Sequence, residues 1–128
     1  MPLIHEEITS KILAACFEVS NELGSGFLEA VYQSALVIAL QEKGLKVEPE
    51  HNLTVNYHGQ TVGEFNTDLL IENAVILELK AVPSLTSTHK AEVINYLKAS
   101  GKLVALLVNF GNPKLEYRRF TNHSPAPS

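Results

Sequence analysis

The chain has 128 residues, room for one domain with a real core. It is 45% hydrophobic and 19% charged, with no apolar run long enough to span a membrane, which is the balance of a soluble globular protein. A formal net charge of −4 argues against coating nucleic acid by bulk electrostatics, though not against a local basic rim around a site.

The N-terminal run Met1-Pro2-Leu3-Ile4-His5-Glu6-Glu7 lacks the basic start and apolar centre of a signal peptide. Ile8, Ile12, Ala15, Cys16, Val19 and Leu23 then recur at helical spacing and predict an amphipathic helix over 4–23. Gly24 is expected to end it as a left-handed cap. Cys16, the lone cysteine, cannot form an intrachain disulfide and reads as a small core residue, so a reducing cytoplasm is the expected compartment. No Cys/His spacing suggests zinc.

A second helix is predicted from Ser25 or Gly26, with a stripe of Leu28, Val31, Tyr32, Ala35, Leu36, Ala39 and Leu40 and a stop at Gly44. The motif Gly24-x-Gly26-x-x-Glu29-x-x-Tyr32 opens it. Glu29 in a first turn is favoured by the helix dipole, by about 0.3–1 kcal/mol. The Tyr32 ring belongs to the core and its hydroxyl needs a partner.

The period next changes to two. Leu53, Val55 and Tyr57 mark a strand, His58-Gly59-Gln60 a turn, Thr61 to Ile71 a second strand, Glu72-Asn73 another turn, and Ala74 to Ala81 a third strand broken by Pro83-Ser84. Thr86 suits the N-cap of a third helix that ends before Gly101, with Val93, Ile94 and Leu97 as its apolar stripe. Val104 to Val108 reads as a buried strand and the crossover partner of the third. Leu115 to Phe120 reads as an edge strand, and 123–128 as a disordered tail. This is one α/β (α+β) domain over 1–122, a mixed sheet flanked by helices.

Glu78 and Lys80, in Val75-Ile76-Leu77-Glu78-Leu79-Lys80-Ala81, share a strand face roughly 6–7 Å apart. Burying either charge without a partner is costly. Asp68 lies on the preceding strand. It faces the same side as Glu78 only if the two are opposed, which requires Ile71 opposite Val75 and a three-residue loop Glu72-Asn73-Ala74, or else a bulge. A two-residue turn would throw the acids to opposite faces. Two carboxylates on one face suit a hard divalent ion. The alternative is a Glu78–Lys80 ion pair on a wet face. In the third helix His89, Glu92 and Tyr96 share a face, either as a solvated shoulder or as a wall of the same cleft.

Together these residues resemble the GxxExxY family, a branch of the PD-(D/E)XK nuclease superfamily. Gly26, Glu29 and Tyr32 match the named motif. The family's strand acid falls on Asp68, its E-x-K on Glu78 and Lys80, and its helical motif on His89, Glu92, Asn95, Tyr96, Leu97 and Lys98. The resemblance implies a restriction-endonuclease-like αβββαβ core and Mg²⁺-dependent hydrolysis of phosphodiesters in DNA, with Mn²⁺ as a substitute. Asp68, Glu78 and the Leu79 carbonyl would hold the ion, and Glu29 a water of that ion or a second ion. Lys80 would orient the attacking water or stabilise charge on the phosphate. Glu92 and Tyr96 would position the substrate or Lys80, with His89 on the same wall, and Tyr32 would serve packing and orientation. Two positions depart from the pattern. Glu92 stands where glutamine is expected, and Asn66 where a basic residue is. Both reduce positive charge near the site, so the alternative is a catalytically silent nuclease fold serving as a binding or assembly module. The first helix and last strand offer apolar edges suited to a homodimer or larger assembly.

Overall fold

The structure, a computed structural model, describes residues 3–122. Its elements are α1 (Glu6–Leu23), α2 (Glu29–Glu42), β1 (Val47–Tyr57), β2 (Gln60–Ile71), β3 (Val75–Lys80), α3 (Ser87–Ser100), β4 (Val104–Asn109) and β5 (Glu116–Thr121). The strands form one sheet in chain order. Only β3 and β4 are parallel, because α3 carries the chain back between them, while the other neighbours are antiparallel. The mixed sheet flanked by helices is as expected, with β5 as a fifth strand beyond the implied core.

Two hydrophobic clusters hold the layers together. On one face Leu69, Ile71, Val75, Leu77 and Leu79 meet Ile12, Cys16, Val19, Leu36 and Leu40 of α1 and α2. On the other, Leu70, Ile76, Ala105 and Leu107 meet Val93 and Leu97 of α3. Strand alternation therefore sends Ile76, Glu78 and Lys80 toward the α3 side. Cys16 is buried, as its reading required, and burial pushes its thiol up to about 12.

The loop between β2 and β3 is the three-residue one. Ile71 pairs with Val75, Glu72 and Asn73 both take left-handed backbone at φ 53°, and the Ala74 N–H donates to the Ile71 carbonyl at 2.9 Å. Glu72 tolerates that conformation while tied to Lys46, with its amide donating to the Lys46 carbonyl at 2.9 Å and its carboxylate accepting from the Lys46 amide.

Some expectations are corrected. Helix α2 starts at Glu29, not Ser25 or Gly26, since Gly26 sits at φ 115°, which no helix accommodates. Gly24 does close α1 with positive φ, but its ψ of −175° is extended rather than left-handed helical. Leu28, Val31 and Ile94 are exposed instead of joining their stripes. Strand β1 begins at Val47, several residues before the alternating signal. Pro49 and the positive-φ Glu50 interrupt the pattern, and an edge strand tolerates both. The turn before β2 is His58-Gly59 alone, with Gln60 already paired to Tyr57. The tail expected to be disordered lies outside the described residues. Among the described residues no helix is long and apolar enough to cross a membrane.

Candidate active site

The β2–β3 ladder runs from Ile71–Val75 through Leu70–Ile76 to Leu69–Leu77. One step further the frame sets Asp68 opposite Glu78, and there side chains replace main-chain carbonyls as acceptors. The Asp68 N–H donates to Glu78 Oε1 at 2.8 Å, and the Leu79 N–H donates to Asp68 Oδ2 at 2.8 Å. The two carboxylates thus share a face and are anchored to rigid strand backbone.

Glu78 is only 3% exposed, and among the described residues no cation pairs with it. The wet-face Glu78–Lys80 ion pair does not form. Lys80 Nζ instead lies 3.4 Å from Glu92 Oε1. Burial, reinforced by the neighbouring Asp68 charge, pushes the Glu78 carboxyl up to about 9. Burial also raises Asp68. The Leu79 amide bond works against that rise, and the charge of Glu29 adds to it.

Glu29, at the exposed start of α2, lies within electrostatic reach of Asp68. Tyr96, one turn of α3 from Glu92, lies within electrostatic reach of both acids, and burial with the charges of Glu78 and Glu92 pushes its phenol well above its ordinary range. Tyr32 and His89 are engaged elsewhere. The Tyr32 hydroxyl donates to the Gly24 carbonyl at 2.7 Å and accepts from the Phe27 amide at 3.2 Å, while its ring stacks on Phe110 at 4.6 Å. It ties the glycine loop to the start of α2. His89 completes a capping box, its Nδ1 accepting from the Thr86 amide at 3.0 Å while Thr86 Oγ1 accepts from the His89 amide at 3.2 Å. Asn66 bonds Asn52 across the β1–β2 pair at 3.1 Å.

Two supports have no local sequence signal. Gln33 Nε2 donates to the Asp68 carbonyl and to Glu50 Oε1, both at 3.0 Å, which fastens α2 to the strand that carries the acid. Asn109, fully buried, accepts from the Val82 amide at 3.0 Å, donates to the Val82 carbonyl at 2.9 Å, and donates to Glu116 Oε1 at 3.1 Å. It clamps the segment that follows Lys80. Only the position of Gln33 beside Tyr32, and of Asn109 at the end of an apolar run, hinted at either.

The donor set fits a hard divalent cation. It offers oxygen donors, with Glu78 buried and Asp68 half-buried, and among the described residues no ion pair to either carboxylate. Among the described residues no three His, Cys, Asp or Glu side chains gather into a cage, so the protein would supply few ligands and leave the rest to water and substrate, as Mg²⁺ commonly requires.

A family model described as the PD-(D/E)XK nuclease superfamily matches residues 6–120. No curated protein and no solved structure gives a significant match.

Proposed function

This chain belongs to the PD-(D/E)XK nuclease superfamily, and on that premise we propose that it is a divalent-metal-dependent nuclease of the GxxExxY branch, hydrolysing phosphodiester bonds in DNA. The observation that carries this reading is the Asp68–Glu78 pair, two carboxylates held on adjacent strands by main-chain amides, one of them buried.

Asp68, Glu78 and the Leu79 carbonyl are the groups we assign to Mg²⁺ or Mn²⁺, and Glu29 would hold a water of that ion or a second ion. When bound, such an ion supplies Lewis acidity toward the phosphate and its attacking water. The strand amides hold both carboxylates in place before substrate arrives, so little reorganisation accompanies reaction. Lys80, on the same face two residues on, supplies positive charge toward the phosphate as negative charge builds on its oxygens. Glu92 holds that ammonium in position, and Tyr96 interacts with Glu92.

The Lys80–Glu92 contact favours a second reading. An ammonium already neutralised by a carboxylate is less available to a phosphate, as a silent binding module would have it. The test is incubation of wild type and Glu78→Gln with labelled single-stranded, duplex and branched DNA in Mn²⁺. The nuclease reading expects cleavage by wild type alone. No cleavage of any substrate at high protein concentration would leave the silent module.

A further inference from the structure

Beyond the acids, β2 pairs with β1 alone. Its residues before Leu69 pair with β1 but not with β3, so the β1–β2 hairpin continues as an arm beside α3. Two cavities of about 590 and 440 Å³ lie between arm and helix. Both are bordered by Phe65 and Asn95, so they adjoin as two parts of a groove along the seam of arm and helix. Phe65 is stacked on Tyr96 with ring centroids 4.4 Å apart and planes 19° apart. Glu92, which contacts Lys80 at 3.4 Å, lines one end, so that end lies beside the lysine of the candidate site. Asn56 and Lys98 line the other end.

We propose that this groove receives a single, unpaired nucleic-acid strand and stacks its bases on the Phe65–Tyr96 pair, a substrate class that rests on the nuclease reading and narrows it. The chemistry of the walls selects for this occupant. A duplex hides its base faces, whereas a single strand offers them to aromatic side chains. Residues 47–71, which build the whole arm, contain no Lys or Arg. What the groove offers instead is aromatic surface, the amides of Asn56 and Asn95, and one lysine, Lys98, with no carboxylate partner among the described residues. Aromatic faces and amides engage bases that are unstacked and unpaired, with a cation to follow the backbone.

The test is fluorescence anisotropy on the full chain in EDTA, with a labelled oligothymidine of about 20 nucleotides and a duplex of the same length. The groove predicts at least about tenfold tighter binding of the single strand. It also predicts about tenfold weakening by Phe65→Ala, recovery in Phe65→Trp, and a shallower salt dependence in Lys98→Ala. Circular dichroism checks the fold of each variant. Should Phe65→Ala fail to fold, Phe65→Leu and the exposed Lys98→Ala carry the test. Equal affinity for duplex and single strand, or undiminished binding by a folded Phe65 variant, overturns the proposal. Cleavage in Mn²⁺ is scored separately. Single-strand binding without cleavage overturns the nuclease reading and supports the groove, whereas cleavage with a duplex preference does the reverse.

Discussion

Asp68 and Glu78 finish the β2–β3 ladder with their side chains, Glu78 Oε1 accepting from the Asp68 amide and Asp68 Oδ2 from the Leu79 amide, each at 2.8 Å. The acids are structural acceptors as well as candidate ligands, so substitutions that keep the acceptor differ from those that remove it. A substitution that removes an acceptor leaves a strand N–H without its partner, at a cost of roughly 1–3 kcal/mol where water cannot reach.

Glu78→Gln keeps an acceptor of the same shape and removes a group whose ionisation in the unfolded chain costs the fold stability above the ordinary carboxylate range. We expect it to fold, with a metal-free Tm at pH 8 equal to wild type or higher by about 2–5 °C, and to lose all stabilisation by Mn²⁺. Glu78→Ala should be less stable than either. Thermal melts with and without Mn²⁺ measure this, and a destabilised but metal-responsive Glu78→Gln would contradict it.

The pH dependence follows from the direction of the shifts. Glu78 titrates near 9 in the fold against 4.5 ordinarily, and Asp68 is raised as well. Between those values the folded protein binds more protons than the unfolded chain. The stability this contributes is whole below the ordinary carboxylate range and is lost as pH rises toward about 9. The metal-free Tm should therefore fall from pH 6 to pH 9, and Glu78→Gln should flatten the decline. Metal competes with the same proton, so Mn²⁺ affinity should climb with pH by up to about tenfold per unit, with proton uptake by buffer. Calorimetry in buffers of different ionisation enthalpy reads both.

Lys80 and Glu92 are partly exposed, so their ion pair should contribute under about 1 kcal/mol to stability. Glu92→Gln should leave Tm nearly unchanged while freeing the ammonium, and oligonucleotide affinity in EDTA should improve by about two- to fivefold. Lys80→Ala should spare folding and Mn²⁺ binding yet lower cleavage by orders of magnitude. Unfolding of Lys80→Ala would make the lysine a structural partner instead.

Gly111 lies against the segment that follows Lys80. A Cβ there would meet the Val82 carbonyl oxygen at 2.0 Å, and the obstacle is backbone, not a movable side chain. Gly111→Ala should cost more than about 2 kcal/mol by urea denaturation. It should also loosen the Asn109 clamp on Val82. Wild-type stability in this variant would show that the loop shifts freely.

The parts of this architecture that were legible from sequence are those with local causes. The dense Val, Ile and Leu run from Val75 to Leu79 located β3, Thr86 and Gly101 bracketed α3, and the demand that Asp68 oppose Glu78 required the three-residue loop that Ile71–Val75 pairing forms. What escaped depends on distant contacts or on broken patterns. Pro49 and Glu50 hid the first half of β1. The choice of Glu92 over Glu78 as the partner of Lys80 is made by how α3 crosses the sheet. Gln33, Asn109 and the Phe65–Tyr96 stack acquire their roles only when elements far apart in the chain meet.

The most direct test of the central claim is anomalous diffraction from crystals soaked in Mn²⁺. A peak bonded to carboxylate oxygens of both Asp68 and Glu78, absent from Glu78→Gln crystals, is the expected result. A soaked wild-type crystal with no anomalous density between those two side chains would contradict the metal-dependent reading of this site.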